Sequence, residues 1–86
     1  MPNWISFFER QPKHGETIFY YGQPIGIWLG HYEYRADDPV SPHIMISDGG
    51  VVDRMDAPWW TAYEDGMEKP GKPDTDYPAD YPKQLT

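Results

Sequence analysis

The sequence predicts a mainly β protein: a small antiparallel sheet of about four strands, with a short N-terminal helical turn and an extended C-terminal tail. Three observations support this fold class. The stretch Ile25–Tyr34 alternates aliphatic residues with glycine and aromatic residues, which is the two-residue period of a strand. Asp48-Gly49 separates two further alternating runs, and this dipeptide is a strong hairpin signal. Prolines recur from Pro70 to Pro82, in a polar segment that does not favour a sheet.

The elements follow in order along the chain. Trp4–Arg10 is apolar at its start and stops before Pro12, so it forms one helical turn or an irregular segment with its apolar side chains on the core. Thr17–Tyr21 is β-branched and aromatic, which favours a strand. After a turn at Gly22–Pro24, Ile25–Tyr34 is the longest predicted strand.

A hairpin is predicted in the middle of the chain. Its strands are His43–Ser47 and Val51–Met55, on either side of Asp48-Gly49-Gly50. We expect the turn to need positive φ at Gly49. The substitution Gly49→Val should therefore destabilise the fold by roughly 1 kcal/mol or more, because a β-branched residue resists that conformation.

The composition changes after Gly66. Residues 1–66 are predicted to form a single small β domain, and residues 67–86 a proline-rich acidic tail that repeats Asp-Tyr-Pro at 76–78 and 80–82. A segment of this composition cannot bury enough surface to offset its ordering entropy. We therefore expect the tail to add few buried contacts.

The net negative charge of the chain comes entirely from its C-terminal part. Residues 1–35 hold three bases and three acids, whereas residues 36–86 hold four bases and eleven acids, which gives the net charge of −7. Phosphate binding needs a basic surface, so we expect no direct nucleic-acid binding. The acidity indicates either a partner with a basic surface or a role in solubility alone. No apolar run approaches the ~20 residues of a membrane span, and the N-terminus lacks a signal-peptide pattern, so we expect a cytoplasmic protein without a membrane partner.

Few side chains offer catalytic or metal-binding chemistry. The chain has no cysteine, and no serine stands in a strained nucleophile motif. His31 and His43 lie on neighbouring predicted strands and could be joined by Asp37 or Asp38 from the loop between them, but we favour ordinary half-exposed histidines over a metal site. The sequence therefore predicts no enzyme activity, no metal and no cofactor.

Short motifs follow one another from the N-terminus to residue 60: Trp-Ile-Ser at 4–6, Glu-Arg-Gln-Pro at 9–12, Glu-Thr-Ile-Phe-Tyr-Tyr-Gly at 16–22, Ile-Gly-Ile-Trp-Leu-Gly-His-Tyr at 25–32 and Ala-Pro-Trp-Trp at 57–60. This order resembles a short phage and prophage family that is known only as a domain of unknown function. Its members open with Trp-Ile-Ser, continue to Arg-Leu-Pro and a strand, and end in Thr-His-Trp-Met-Pro-Leu-Pro. Here Gln11 replaces the leucine, and residues 57–60 lack the histidine and the closing prolines. The resemblance implies a small β-rich fold and a phage setting, but neither an activity nor site residues.

The tryptophan pair is the main candidate for a contact surface. Neighbouring residues of an extended chain point to opposite sides, so we expect Trp59 and Trp60 to be buried unequally. One ring is expected to close the core beside Trp4 and the other to stay partly exposed, although a core that holds both rings is the alternative. The exposed ring and its acidic neighbours then form a partner-binding patch. The predicted site residues are Trp59, Trp60, Tyr63, Asp53, Asp56, Glu64 and Asp65, with Asp37 and Asp38 as the next acidic candidates.

Two functions fit these residues. The first is a non-enzymatic phage-type accessory protein that binds a host protein as an inhibitor of the anti-defence (anti-CRISPR) or DNA-mimic type, with carboxylates standing where phosphates stand. A nucleic-acid-binding machine with a basic surface is then the expected target. The second is a structural or accessory module whose acidity serves solubility only. The chain is expected to act as a monomer or as a dimer formed by strand pairing.

Overall fold

The computed structural model describes residues 3–82, and they form one antiparallel sheet of six strands with no helix. In chain order, the strands are β1 (Ile5–Ser6), β2 (Thr17–Gly22), β3 (Gly26–Tyr34), β4 (His43–Ser47), β5 (Gly50–Asp53) and β6 (Trp59–Ala62). Their order across the sheet is β1-β6-β2-β3-β4-β5. The mainly β class is confirmed. The prediction of about four strands is wrong, because β1 and β6 extend the sheet beyond β2.

The N-terminal segment is a strand followed by a turn, so the predicted helical turn is wrong. β1 pairs with Trp59 and Trp60 of β6. The backbone amide of Phe7 prolongs this pairing by donating to the carbonyl of Pro58 at 3.0 Å. Strand pairing thus satisfies the backbone groups that a helix would otherwise pair, and Pro12 ends the segment before a helix can extend.

The core lies on one face of the sheet, which we call the core face, and the opposite side is the outer face. The buried apolar cluster of the core face comprises Phe7, Ile18, Tyr20, Tyr32, Met45, Ala57 and Trp60. Tyr20 and Trp60 are directly opposite each other across β2 and β6. The ring of Phe7 lies 6.1 Å from Trp60 and 6.0 Å from Tyr32. Large aromatic side chains thus fill much of a core that contains few aliphatic residues.

The connection from β5 to β6 passes over the core face. Its residues Ala57 and Pro58 are buried. Just before them, the backbone of Asp56 crosses the end of β2 so closely that a Cβ atom at Gly22 would lie 1.8 Å from the Asp56 carbonyl oxygen. Only glycine fits at that crossing, which explains why β2 ends in a residue without a side chain.

The hairpin around Asp48-Gly49 is confirmed, but the reason for its glycines differs from the prediction. β4 and β5 close at the pair Ser47↔Gly50. Positive φ occurs at Gly50, where φ is 114°, and not at Gly49. Gly49 is instead limited by space, because a Cβ atom there would lie 2.8 Å from Cζ3 of Trp28.

The C-terminal segment, residues 63–82, contains no strand but packs on the outer face over β1, β6 and β2. Pro73 and Pro78 are buried in this packing. Tyr81 contacts the connection between β5 and β6, where its hydroxyl donates to the carbonyl of Met55 at 2.9 Å. The expectation that this segment adds few buried contacts is therefore wrong for residues 67–82. The division of the chain into residues 1–66 and 67–86 stays a prediction, and residues 83–86 of that tail lie outside the described residues.

Candidate functional site

The two neighbouring tryptophans face opposite sides of the sheet, as predicted. Trp60 is buried on the core face and donates from its indole Nε1 to the carbonyl of Arg10 at 2.8 Å. Trp59 is partly exposed on the outer face, where its Nε1 donates to the carbonyl of Thr75 at 3.0 Å. Unequal burial is confirmed, and Trp59 is the exposed ring. The expected position of the buried ring beside Trp4 is wrong, because Trp4 lies on the outer face, 6.3 Å from the ring of Tyr21.

Trp4 and Trp59 together line two adjacent depressions of the outer face, which we name the Trp4–Trp59 groove. One depression, of about 290 Å³, is closed by residues 71–75. The other, of about 260 Å³, is closed by residues 78–80 and by Ser6 and Glu9. The groove exists because the C-terminal segment covers both rings only in part.

Carboxylates border this groove. Glu9, Asp74 and Asp80 line it and are exposed. Asp80 also accepts a hydrogen bond of 2.5 Å from the hydroxyl of Ser6. One base, Lys72, lines the larger depression. The aromatic rings of the outer face are therefore bordered by acids, although these are not the acids that the sequence indicated.

Asp76 holds the C-terminal segment beside the groove. Its carboxylate accepts a hydrogen bond of 2.7 Å from the hydroxyl of Tyr21, which lies opposite Trp59 across β2 and β6. This bond is the main reason that the pKa of Tyr21 is raised above its ordinary value, with burial as the next cause.

Asp53 is tied into the fold and is not part of an open rim. One of its carboxylate oxygens accepts from the hydroxyl of Ser41 at 3.0 Å. The other accepts from the backbone amides of Met55 at 2.9 Å and Asp56 at 3.3 Å. Asp53 therefore shapes the start of the crossing connection, as short polar side chains often do in turns.

The remaining acids of the predicted rim do not form one patch. The backbone of Asp56 lies against Gly22, at one end of β2. The amide of Tyr63 donates to the carbonyl of Thr17 at 3.2 Å, at the other end of that strand. These points are the first and last of the six residues of β2, a span of roughly 17 Å at the rise of a strand. Asp56 is thus separated from Tyr63 and from the acids that follow it.

The segment after β6 keeps part of the predicted patch together. The ring of Tyr63 packs edge-on against Phe19, with 5.8 Å between the ring centroids. Glu64 and Asp65 follow in an exposed turn that the amide of Met67 closes by donating to the carbonyl of Glu64. Tyr63 is therefore half-buried and paired, and the two acids face solvent beside it.

The loop acids Asp37 and Asp38 have different roles. Asp37 is exposed. The carboxylate of Asp38 accepts from the backbone amides of Val40 at 2.9 Å and Ser41 at 3.0 Å. These two donors lower the pKa of Asp38 below its ordinary value. Asp38 therefore organises the loop between β3 and β4.

The histidines of β3 and β4 do not share a site. His31 is paired with Ile46 and His43 with Tyr34, and these registers put the two imidazoles on opposite faces of the sheet. Within residues 3–82, no group of three or more histidine or acidic side chains is placed to hold a metal ion.

His43 is instead part of an aromatic cluster. Its Nδ1 lies 2.6 Å from the hydroxyl of Tyr32, and its ring lies 5.1 Å from that of Tyr34. Burial is the main cause that lowers the pKa of His43, and the Arg54 cation adds to the effect.

The Trp4–Trp59 groove depends on residues that the sequence did not indicate as a site, namely Trp4, Glu9, Asp74 and Asp80. The repeated Asp-Tyr-Pro of the C-terminal segment is the signal that could have found it. Both of its aspartates bond to hydroxyls of the sheet, Asp76 to Tyr21 and Asp80 to Ser6. A repeated acid in an otherwise irregular segment can thus mark the points where that segment attaches.

Comparisons with known proteins gave no match: no family model fits the chain, and no curated protein or solved structure is significantly similar to it. The resemblance to the phage family stays a prediction that rests on the sequence motifs. Residues 3–82 contain no helix that is long and apolar enough to cross a membrane.

Proposed function

We propose that the protein is a non-enzymatic, phage-type accessory protein that binds a basic surface of a host protein through the Trp4–Trp59 groove. The observation that carries the proposal is the position of two partly exposed indole rings among the exposed carboxylates of Glu9, Asp74 and Asp80. Buried or half-buried tryptophans are common anchors of protein interfaces, and charges at the rim give specificity and association rate.

The distribution of charge supports a basic partner. The chain has fourteen acidic residues and seven lysines and arginines. Within residues 3–82 a single ion pair forms, between Arg35 and Glu33 at 3.2 Å, and both side chains are partly exposed. Most carboxylates are therefore not neutralised by the chain's own bases, and their field extends into solvent, where it attracts cationic surfaces.

The target class that we propose is a nucleic-acid-binding machine of the host, such as a defence nuclease. Such a protein presents a basic groove to phosphates, and the carboxylates beside Trp4 and Trp59 would occupy phosphate positions. The protein would then act as an inhibitor of the DNA-mimic or anti-CRISPR type. Because carboxylates repel phosphates, we do not expect the protein to bind the nucleic acid itself.

Affinity capture at two salt concentrations tests this proposal. The full chain is immobilised and exposed to bacterial lysate at about 0.1 M and about 1 M salt, between which the Debye length falls from ~10 Å to ~3 Å. We expect a captured protein with a basic surface, weaker capture at high salt, and inhibition of the purified target's nucleic-acid-dependent activity.

A matched pair of variants locates the surface. The triple variant Glu9→Gln, Asp74→Asn, Asp80→Asn removes three charges from the groove. The control Glu64→Gln, Asp65→Asn, Glu68→Gln removes three exposed charges elsewhere. Only the first should lose the captured protein. Equal binding by both variants and by the unchanged protein would exclude the groove acids from the function.

A structural or accessory role is the alternative, and an uncovered apolar patch favours it. The C-terminal segment covers one half of the outer face, whereas Leu29 and Val51 on the other half remain 44% and 59% exposed. A partner bound through this patch should be insensitive to salt. Loss of the partner in the variant Leu29→Ser, Val51→Ser, with retention in the groove variant, would support this alternative.

A further inference from the structure

The smaller depression of the groove differs chemically from the larger one. It is lined by both tryptophans and by the acids Glu9 and Asp80, and none of the bases within residues 3–82 lines it. Its volume of about 260 Å³ lies below the ~300–1,000 Å³ of pockets for drug-sized ligands. We call it the Glu9–Asp80 niche, and its size suits a single side chain of a partner.

Both indole N–H groups are already used within the chain. Trp4 Nε1 donates to the carbonyl of Gly71 at 2.8 Å, and Trp59 Nε1 donates to the carbonyl of Thr75 at 3.0 Å. These bonds fix the rings, which stay partly exposed in the groove. A bound group would form no hydrogen bond with the indole N–H groups. Because the rings are already fixed, binding would cost little entropy for ordering them.

The side-chain polar groups that remain free in the niche are carboxylates, which only accept hydrogen bonds. Asp80 uses one carboxylate oxygen for the hydroxyl of Ser6. No hydrogen bond to the carboxylate of Glu9 forms within residues 3–82. Aromatic faces beside acceptor-only carboxylates complement a cationic donor and repel an anion.

We infer that the Glu9–Asp80 niche binds an arginine side chain of the partner. This inference rests on the proposed function and names the group that the groove recognises. A guanidinium is planar, stacks on indole, and presents several N–H donors to carboxylates, whereas a lysine ammonium is a compact and strongly hydrated charge. The niche therefore favours arginine over lysine, and both over a neutral side chain of similar shape.

Titration with short peptides tests the niche on the full chain. The probes are acetylated, amidated Gly-Ser-X-Ser-Gly peptides in which X is arginine, lysine or citrulline, the neutral counterpart of arginine. The readout is the set of indole N–H signals in a proton–nitrogen correlation spectrum. We expect the arginine peptide to shift the signals of Trp4 and Trp59, and to leave those of Trp28 and Trp60 unmoved.

The apparent affinity should follow the order arginine, lysine, citrulline, with about fivefold or more between arginine and citrulline. The variant Glu9→Gln, Asp80→Asn should weaken the arginine peptide by about fivefold or more, and it keeps an acceptor for Ser6. The control Glu64→Gln, Glu68→Gln should bind as the unchanged protein does.

Equal shifts with citrulline, or unchanged affinity in the niche variant, would overturn the arginine assignment. That result would leave the proposed function standing if salt-sensitive capture still needs the groove acids. Capture that is insensitive to those acids would refute the proposed function, whatever the peptides do.

Discussion

The hydroxyl of Tyr21 donates a hydrogen bond of 2.7 Å to the carboxylate of Asp76, and so joins β2 to a segment 55 residues further along the chain. Two further contacts repeat this attachment on β1 and β6: Ser6 with Asp80, and Trp59 with Thr75. The C-terminal segment is therefore a layer over the outer face, and the groove exists only while that layer is in place.

Removing residues 70–86 should therefore destabilise the protein. The deletion breaks five side-chain hydrogen bonds between this segment and the rest of the chain. Each such bond contributes about 0.5–1.5 kcal/mol. Since ~1 kcal/mol corresponds to about 4–8 °C for a domain of this size, we expect the melting temperature to fall by at least about 10 °C. An unchanged melting temperature would show that these contacts contribute nothing.

A pair of point variants isolates one of these bonds. Asp76→Ala removes the acceptor of Tyr21, so it should cost about 1 kcal/mol in urea unfolding. Asp74→Ala lies two residues away, is exposed, and should stay within about 0.5 kcal/mol of the unchanged protein. If the two variants were equally stable, the Tyr21–Asp76 bond would not stabilise the fold.

The hairpin glycines should differ in what they tolerate. Gly50→Ala forces a side chain into φ of 114°, which should cost about 1–3 kcal/mol. Gly49→Ala first meets the far edge of the Trp28 ring. This ring is 40% exposed and can shift by loosening its indole bond to the carbonyl of Ile25, so the cost should be smaller. Urea unfolding measures both, and the indole N–H signal of Trp28 in a proton–nitrogen correlation spectrum should shift more in Gly49→Ala than in Gly50→Ala. A larger cost at Gly49 than at Gly50 would contradict this assignment.

The sequence predicted the strands whose pattern is local. β2 is β-branched and aromatic, β3 and β4 alternate over five or more residues, and the Asp-Gly turn marks the hairpin. Their bounds were therefore found within a residue or two. β1 and β6 have two and four residues and no comparable alternation. They become strands because β6 inserts between β1 and β2, and a pairing of that kind is not encoded in either segment alone.

The candidate site shows the same division. Opposite burial of Trp59 and Trp60 follows from the geometry of an extended chain, and it was predicted. The attachment of the C-terminal segment was not predicted. Proline content indicates the local backbone conformation, but it does not indicate which distant hydroxyl of the sheet the segment will bond to. The role of Asp53 was missed for a similar reason: its partner Ser41 lies twelve residues earlier, in the loop between β3 and β4.

Acidification should destabilise the protein through His43. Burial and the Arg54 cation lower the pKa of His43 in the native state below the ordinary value of 6.5. The unfolded chain then binds a proton at this residue more readily than the native state does, so the free energy of unfolding falls as the pH drops from about 6.5 to the native pKa. Below the native pKa both states hold the proton, and His43 causes no further loss. Above that window the stabilisation is complete.

Urea unfolding at several pH values between about 7.5 and 5 checks this expectation. The variant His43→Gln cannot take up the proton, so its stability should depend less on pH over that window. His31→Gln, at an exposed position on the other face, serves as the control and should keep the original pH dependence. Identical pH profiles for His43→Gln and the unchanged protein would exclude His43 as the source.

The two neighbouring tryptophans should separate stability from binding. Trp60→Ala empties a buried core position and should cost about 3–5 kcal/mol. If that variant fails to fold, Trp60→Phe gives a smaller loss in the same direction. Trp59→Ala removes a partly exposed ring and its bond to Thr75, so its cost should be nearer 1 kcal/mol.

Binding should follow the opposite order. Trp59→Ala removes one wall of the groove and should abolish the response of the remaining indole signals to the arginine peptide, while the protein stays folded. Trp60→Phe leaves the outer face intact and should bind as the unchanged protein does, once measured where both are folded. The two measurements are urea unfolding and the peptide titration on the same samples. Trp59 and Trp60 are adjacent in sequence but lie on opposite faces. If each of the two variants lost both stability and binding, the groove would be only an extension of the core.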